Sequence, residues 1–123
     1  MPTPPGIIET RPFTRIWDHL GLTVEDLLAM QNECFLQLKS APVISGCAGA
    51  RKMRFSPRSS GSGKSGALRV IFKYFEQFEI VILILVYPKG VKESISSEEK
   101  KAIVQAVNVI EFEMAKRFKK ISN

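Results

Sequence analysis

Residues 51–73 read RKMRFSPRSSGSGKSGALRVIFK and carry seven basic side chains, Arg51, Lys52, Arg54, Arg58, Lys64, Arg69 and Lys73, with no acidic one among them. Guanidinium and ammonium groups gathered in this way can hold phosphate oxygens and offset negative charge as it develops on them. Their spacing decides which of them can act together. From Ala50 to Phe55 strict alternation puts Lys52 and Arg54 on one face of an extended segment and Met53 and Phe55 on the other. After the Ser/Gly loop, Leu68, Val70, Phe72 and Tyr74 share one face while Arg69, Ile71 and Lys73 share the other. Paired as a hairpin, the two runs bury an apolar set on one side and collect cations on the opposite side. Seven mutually repelling cations call for a partner of opposite charge. A polyanion fits best, and an acidic protein is the next choice.

Other chemistry is poorly served. Gly61–Ser65 ends in Gly-Lys-Ser, but the first glycine of a phosphate-binding P-loop would fall at position 58, which is Arg58, and a strand follows where the motif needs a helix. A flexible hairpin loop accounts for this composition. The single histidine, His19, lies beside Asp18 on a helix surface without a nucleophile nearby, and reads as a solvated or capping residue. Cys34 falls on an apolar helix stripe and reads as buried; Trp17 reads as core. Glu111 and Glu113 lie off the main stripe of the last helix, as ordinary surface charge. No Cys/His spacing suggests zinc, and neither metal nor cofactor is expected.

The elements that must position the cations are readable from period and caps. Ile7–Thr10 suits a short first strand after a loose, Pro-rich stretch at 1–6. A helix over TRIWDHLG is expected, with Thr14 as its cap and Gly21 as its stop. Residues 23–39 predict a second helix with Thr23 as N-cap, Glu25 and Asp26 in its first turn, and a stripe of Leu27, Met30, Cys34 and Leu38 widened by Leu28 and Phe35. Residues 41–50 form a connection with a short extended piece at Val43–Ile44. Phe78–Tyr87, FEIVILILVY, is apolar almost throughout and predicts a strand covered on both faces; Pro88 and Gly90 end it, placing Lys89 at its exit. Ser96 or Ser97 caps a final helix striped by Ile103, Val107, Ile110, Met114 and Phe118. Strand, two helices, three strands and a helix argue an α+β fold with a largely antiparallel sheet.

Composition agrees with this. At 123 residues, 45% hydrophobic and 24% charged, the chain is expected to form one domain, 1–123, around a real core. Its net charge of +6 is unevenly spread: residues 1–40 sum to −2, residues 41–93 to +6 and residues 94–123 to +2. Two cysteines make no disulfide framework and suit a reducing cytoplasm. The N-terminus lacks the order of a signal peptide. The longest apolar run, Ile80–Val86, is seven residues, far short of the roughly 20 that span a bilayer, so no membrane is expected.

RKMRF, then GSGKSGALRVIF, ILILVYPKG and SSEEKKAI, in this order and spacing, resemble the HigB-like branch of the RelE/ParE toxin superfamily from bacterial type II toxin-antitoxin modules. FTRIWDHLGLTVEDLLAMQN and PVISGCAGARK also fit the layout of that branch, so the resemblance runs from Ile7 to the last helix. It implies a compact α+β toxin with an N-terminal strand, two helices, a curved antiparallel sheet and a C-terminal helix. It also implies a metal-independent endoribonuclease that cuts mRNA in the ribosomal decoding site and is neutralised by a cognate antitoxin, acidic or of helix-turn-helix type.

Carried onto this chain, the resemblance makes Arg69 the holder of the scissile phosphate and Arg54 a second phosphate ligand. Lys52 is implied as proton acceptor or electrostatic stabiliser, and Lys89 as stabiliser of charge or proton donor to the leaving group. Lys64 then touches message or ribosomal RNA from the loop, and Arg51, Arg58 and Lys73 complete an RNA-binding set. The sequence departs from the pattern in three places. Ala67 stands where the branch often has a second glycine, Phe72 where it often has tyrosine, and VKESIS where RelE members carry a tyrosine beyond the last strand; Tyr87 is not at that position. Two other functions fit the same residues: a ParE-like toxin that binds gyrase without cutting, and a non-catalytic nucleic-acid-binding module.

Overall fold

The structure, a computed structural model, describes residues 4–58, 67–91 and 94–122, with side chains to residue 119. The Ser/Gly stretch 59–66, and Lys64 with it, lies outside the described residues. Elements follow in the order β1 (Gly6–Glu9), α1 (Arg11–His19), α2 (Val24–Leu36), β2 (Arg51–Phe55), β3 (Leu68–Phe75), β4 (Ile80–Pro88) and α3 (Ser97–Ser122). The strands form one sheet in the order β1-β4-β3-β2. β2, β3 and β4 pair antiparallel, as successive hairpins must, whereas β1 runs parallel to β4. That parallel edge arises because α1 and α2 carry the chain across one face of the sheet before it re-enters at the far edge.

Local chemistry sets the helix ends. α1 is capped by Thr10, whose Oγ1 accepts from Phe13 N at 3.2 Å, with Pro12 in the first turn where its missing N–H is not needed. Thr14, the expected cap, is instead inside the helix and donates to Glu9 Oε1 at 2.6 Å. Gly21 takes φ +67° just past α1, the left-handed turn that ends it. α2 begins with a reciprocal capping box between Thr23 and Asp26, and α3 with one between Ser96 and Glu99.

Both sheet faces are covered, by different means. On the first, α1 and α2 bring Phe13, Trp17, Met30 and Cys34 onto Met53, Phe55, Leu68, Val70, Phe72, Val81, Leu83 and Val86. Phe13 stacks on Trp17 with ring centroids 5.8 Å apart. Leu28, expected on this stripe, is more than half exposed, because α2 touches the sheet along a narrower line through Met30 and Cys34. On the second face, Ile103 and Val107 of α3 pack on Ile71, Phe75, Ile82, Ile84 and Tyr87, joined by Cys47 and Ala50 of the 41–50 connection.

One irregularity matters for function. Phe72 pairs with Leu83 but Ile71 pairs with Leu85, so β4 holds one extra residue, Ile84, against β3. Before it, Val81 and Leu83 face α1 and α2; after it, Val86 does. Tyr87, which unbroken alternation would send into the first core with Val81 and Leu83, is turned to the α3 face.

Candidate functional site

The α3 face changes character along the strands. At the Ile71–Phe75 end it is apolar and covered by α3. Toward the start of β3, pairing places Arg54 of β2 directly opposite Arg69 of β3, and Arg69 directly opposite Tyr87 of β4. Residues so paired carry Cβ atoms about 5 Å apart, so the three side chains form one continuous row across the sheet. The next row, about 7 Å along, is Lys52, Ile71 and Leu85. Lys89 is exposed two residues beyond Tyr87, and its backbone N–H donates to Ala67 O at 3.0 Å, tying the exit of β4 to the entry of β3.

The electrostatics of the row are unbalanced. Two arginines directly across a sheet repel. Arg69 Nη1 is buried and, among the described residues, has no hydrogen-bond partner. A buried guanidinium nitrogen left in this way costs free energy that an anion's oxygen would recover. Tyr87 is 4% exposed. Burial pushes its phenol above the ordinary value of 10.0; the Arg69 charge pulls it back down, and Glu99 of α3 pushes it up. The row therefore sets cations, a phenol and a nearby carboxylate around a place where an anionic oxygen could sit.

The expected site residues are distributed unequally. Lys52, Arg54 and Arg69 come together on the α3 face, and Lys89 is exposed in the turn just past β4. Arg51 does not join them: it alternates onto the α1/α2 side, where Nη1 donates to Ala41 O at 2.6 Å. Arg58, beyond β2, lends its backbone N–H to Asp26 Oδ1 at 3.1 Å and lines a cavity of about 450 Å³ with Glu25, Asp26 and Glu33. Lys73 is on the α3 face but two rows from Arg69; its Nζ lies 5.7 Å from the Phe75 ring centroid and fills the space over Gly49, where a Cβ would come within 2.6 Å of it. Lys64 falls outside the described residues.

Tyr87 and Glu99 are the members that sequence reasoning did not place. Tyr87 is hidden by the bulge, which no glycine or proline in FEIVILILVY announces. Glu99 was visible only as an early acidic residue of the last helix. His19 is exposed, and Glu111 and Glu113 are exposed as expected. Cys34 and Cys47 are buried free thiols, and burial pushes Cys34 up to about 12. Among the described residues, no cluster of three or more His, Cys, Asp or Glu is placed to hold a metal ion, and no helix is long and apolar enough to cross a membrane.

Strand order and helix placement define a RelE-like α+β fold. Among solved structures, the chain is similar to E. coli toxin RelE in the free state, there a double arginine-to-alanine mutant. The TM-score is 0.57 and the identity 17%, over 85% of this chain and 99% of that one. No family model matches the sequence.

Proposed function

We propose that this chain is the toxin of a type II toxin-antitoxin module, of the HigB-like branch, and that it cleaves mRNA on the ribosome. The observation that carries the reading is Arg69: directly opposite Arg54, with a buried Nη1 that no described residue satisfies. A scissile phosphate seated there would satisfy both arginines at once. The reaction needs no outside reactant. The 2′-oxygen of the message bonds to the adjacent phosphorus as its proton passes to a base, the bond from phosphorus to the 5′-oxygen breaks, and that oxygen takes a proton. A cyclic phosphate and a free 5′-hydroxyl result.

In this reading Arg69 and Arg54 offset the charge of the phosphorane. Lys52, one row away, accepts the 2′-proton or adds to that stabilisation, and Lys89 serves the leaving group. Tyr87 shares the row and is within reach of the same phosphate. The partners are mRNA, the ribosome and a cognate antitoxin that covers the basic row or bars entry to the ribosome, all within the cytoplasm.

Primer extension on a defined message in a purified translation system tests it, with wild type, Arg69→Ala and Lys52→Ala compared and a control lacking ribosomes. Cuts within codons that need ribosomes and vanish with Arg69→Ala are expected. Growth arrest without cleavage would replace this reading with the gyrase-directed one.

A further inference from the structure

We infer that the open outer edge of β2 reads a nucleobase: Lys52 O, Arg54 N–H and Arg54 O form a short hydrogen-bonding run that takes an amine-bearing base of the strand whose phosphate lies on the basic row. The inference rests on that row being the RNA-cleaving surface, and it names what the surface selects.

The pairing around β2 fixes which backbone groups face outward. Residues 42–44 cover the beginning of its outer edge: Ile44 N donates to Ala50 O at 2.9 Å and Lys52 N to Pro42 O at 3.0 Å, on either side of a bridge between Val43 and Arg51. Backbone groups alternate in direction along a strand. Lys52 and Arg54 therefore present N–H and C=O to the outer edge, while Arg51, Met53 and Phe55 present theirs to β3. The next bond of the outer ladder would run from residue 42 to Lys52 O, and Pro42 has no N–H to give. Ala41 O, one step back, is taken by Arg51 Nη1 at 2.6 Å. The cover stops at Lys52 N, and no hydrogen bond from a described residue reaches Lys52 O, Arg54 N or Arg54 O.

Position makes this more than an unfinished edge. Arg54 is exposed and stands opposite Arg69 in the type of pair that exchanges no backbone bonds, where side chains come closest. The open run is thus one strand spacing, about 5 Å, from the strand that carries Arg69. A nucleotide whose phosphate sits on the two arginines has its base within reach of that edge. A peptide strand fits less well, because the run extends only from Lys52 to Arg54, Pro42 closes one end of it, and both of its residues are cations.

The run also selects. It holds two acceptors and one donor, and adenine, cytosine or guanine brings the N–H groups of an exocyclic amine together with a lone pair. Uracil, with two carbonyls and one N–H, leaves an acceptor unmatched. Single-stranded RNA is the form that exposes these base edges.

Nuclear magnetic resonance of the full chain, labelled with nitrogen-15, tests this with 2′-O-methyl trinucleotides, which lack the hydroxyl needed for cleavage. The all-adenine trinucleotide should slow hydrogen exchange of Arg54 N–H several-fold and shift its resonance saturably. The all-uracil one should shift the Arg69 Nε resonance and leave exchange at Arg54 unchanged. Equal slowing by both overturns the selection. Arg69 responding to both while Arg54 N–H responds to neither overturns the edge inference and leaves the phosphate reading standing, whereas no response at either residue removes the phosphate reading and this inference with it. Protection of Arg54 N–H in the free chain that is lost on dilution would overturn the inference in favour of a second copy paired along β2.

Discussion

Val70 and Phe72 of β3 are fully buried under α1 and α2, in a layer of apolar side chains that reaches from Phe13 to Val86. One position back along the same strand, on the opposite face, Arg69 is partly buried against Arg54 and Tyr87. The strands are shared and the alternation is the same, yet one face reads as a core and the other as a core that stops short. The difference lies in what covers them. Two helices lie over the first face. The second is covered by α3 and the 41–50 connection over Ile71, Phe75 and Tyr87, and the cations lie at the margin of that cover. A rigid sheet backed by a complete core on one side can hold like charges together on the other without yielding.

Substitutions on the two faces should separate accordingly. The largest effect is expected from Arg69→Met, which keeps much of the apolar stem and removes the charge. Ribosome-dependent cleavage should drop by about 10²- to 10³-fold, while the melting temperature holds or rises, because the repulsion with Arg54 and the unpartnered nitrogen both disappear. A clear fall in melting temperature would mean that Arg69 is a core residue and that the two faces do not differ. Phe72→Ala should do the reverse, lowering folding free energy by about 3–5 kcal/mol in chemical denaturation through the cavity it leaves.

The faces also differ in how they treat a buried acid. Cys34 on the first face has no compensating charge, and its folded value of about 12 stands above the ordinary 9.0. The unfolded thiol ionises first as pH rises. Its contribution is thus complete below about pH 9 and lost toward pH 12, amounting to roughly 4 kcal/mol. Denaturation midpoints followed over that range should decline, and Cys34→Ala should flatten that part of the decline. Tyr87 on the second face is also raised, but the Arg69 charge moderates it; Arg69→Met should move its titration upward. The smallest effect belongs to the edge of the first face. Asp26 is 3% exposed and accepts from Thr23 N at 3.2 Å and Arg58 N at 3.1 Å, so Asp26→Ala should cost about 1–3 kcal/mol in the same denaturation assay.

The order of elements and the two faces of β2 and β3 were legible in the sequence because they rest on strictly local signals: the alternation of Met53 and Phe55 with Lys52 and Arg54, the Thr23 cap, the heavily apolar run ending at Pro88. Reading failed where a distant contact decided the outcome. Thr10 outcompetes Thr14 as a cap because it also donates to Ile84 O at 2.8 Å, across 74 residues of sequence. Arg51 and Arg58 looked equal to Arg54 as cations, but Ala41 and Asp26 give them structural tasks. The continuously apolar run Phe78–Tyr87 assigned Tyr87 to neither face, and only the pairing with β3 reveals the extra residue that sets it.

That extra residue gives β4 something like a reading frame. Substitutions around it can alter side chains one at a time, but taking Ile84 into regular pairing would exchange the inside and outside of everything downstream, sending Tyr87 toward α1 and α2 and Val86 toward the basic row, whereas deleting Ile84 would leave Leu83 next to Leu85 with every facing kept. Length in this segment is therefore not a free variable for evolution or for engineering. A one-residue deletion near Ile84 should be absorbed by closing the bulge, whereas a one-residue insertion between Ile84 and Pro88 should not be tolerated.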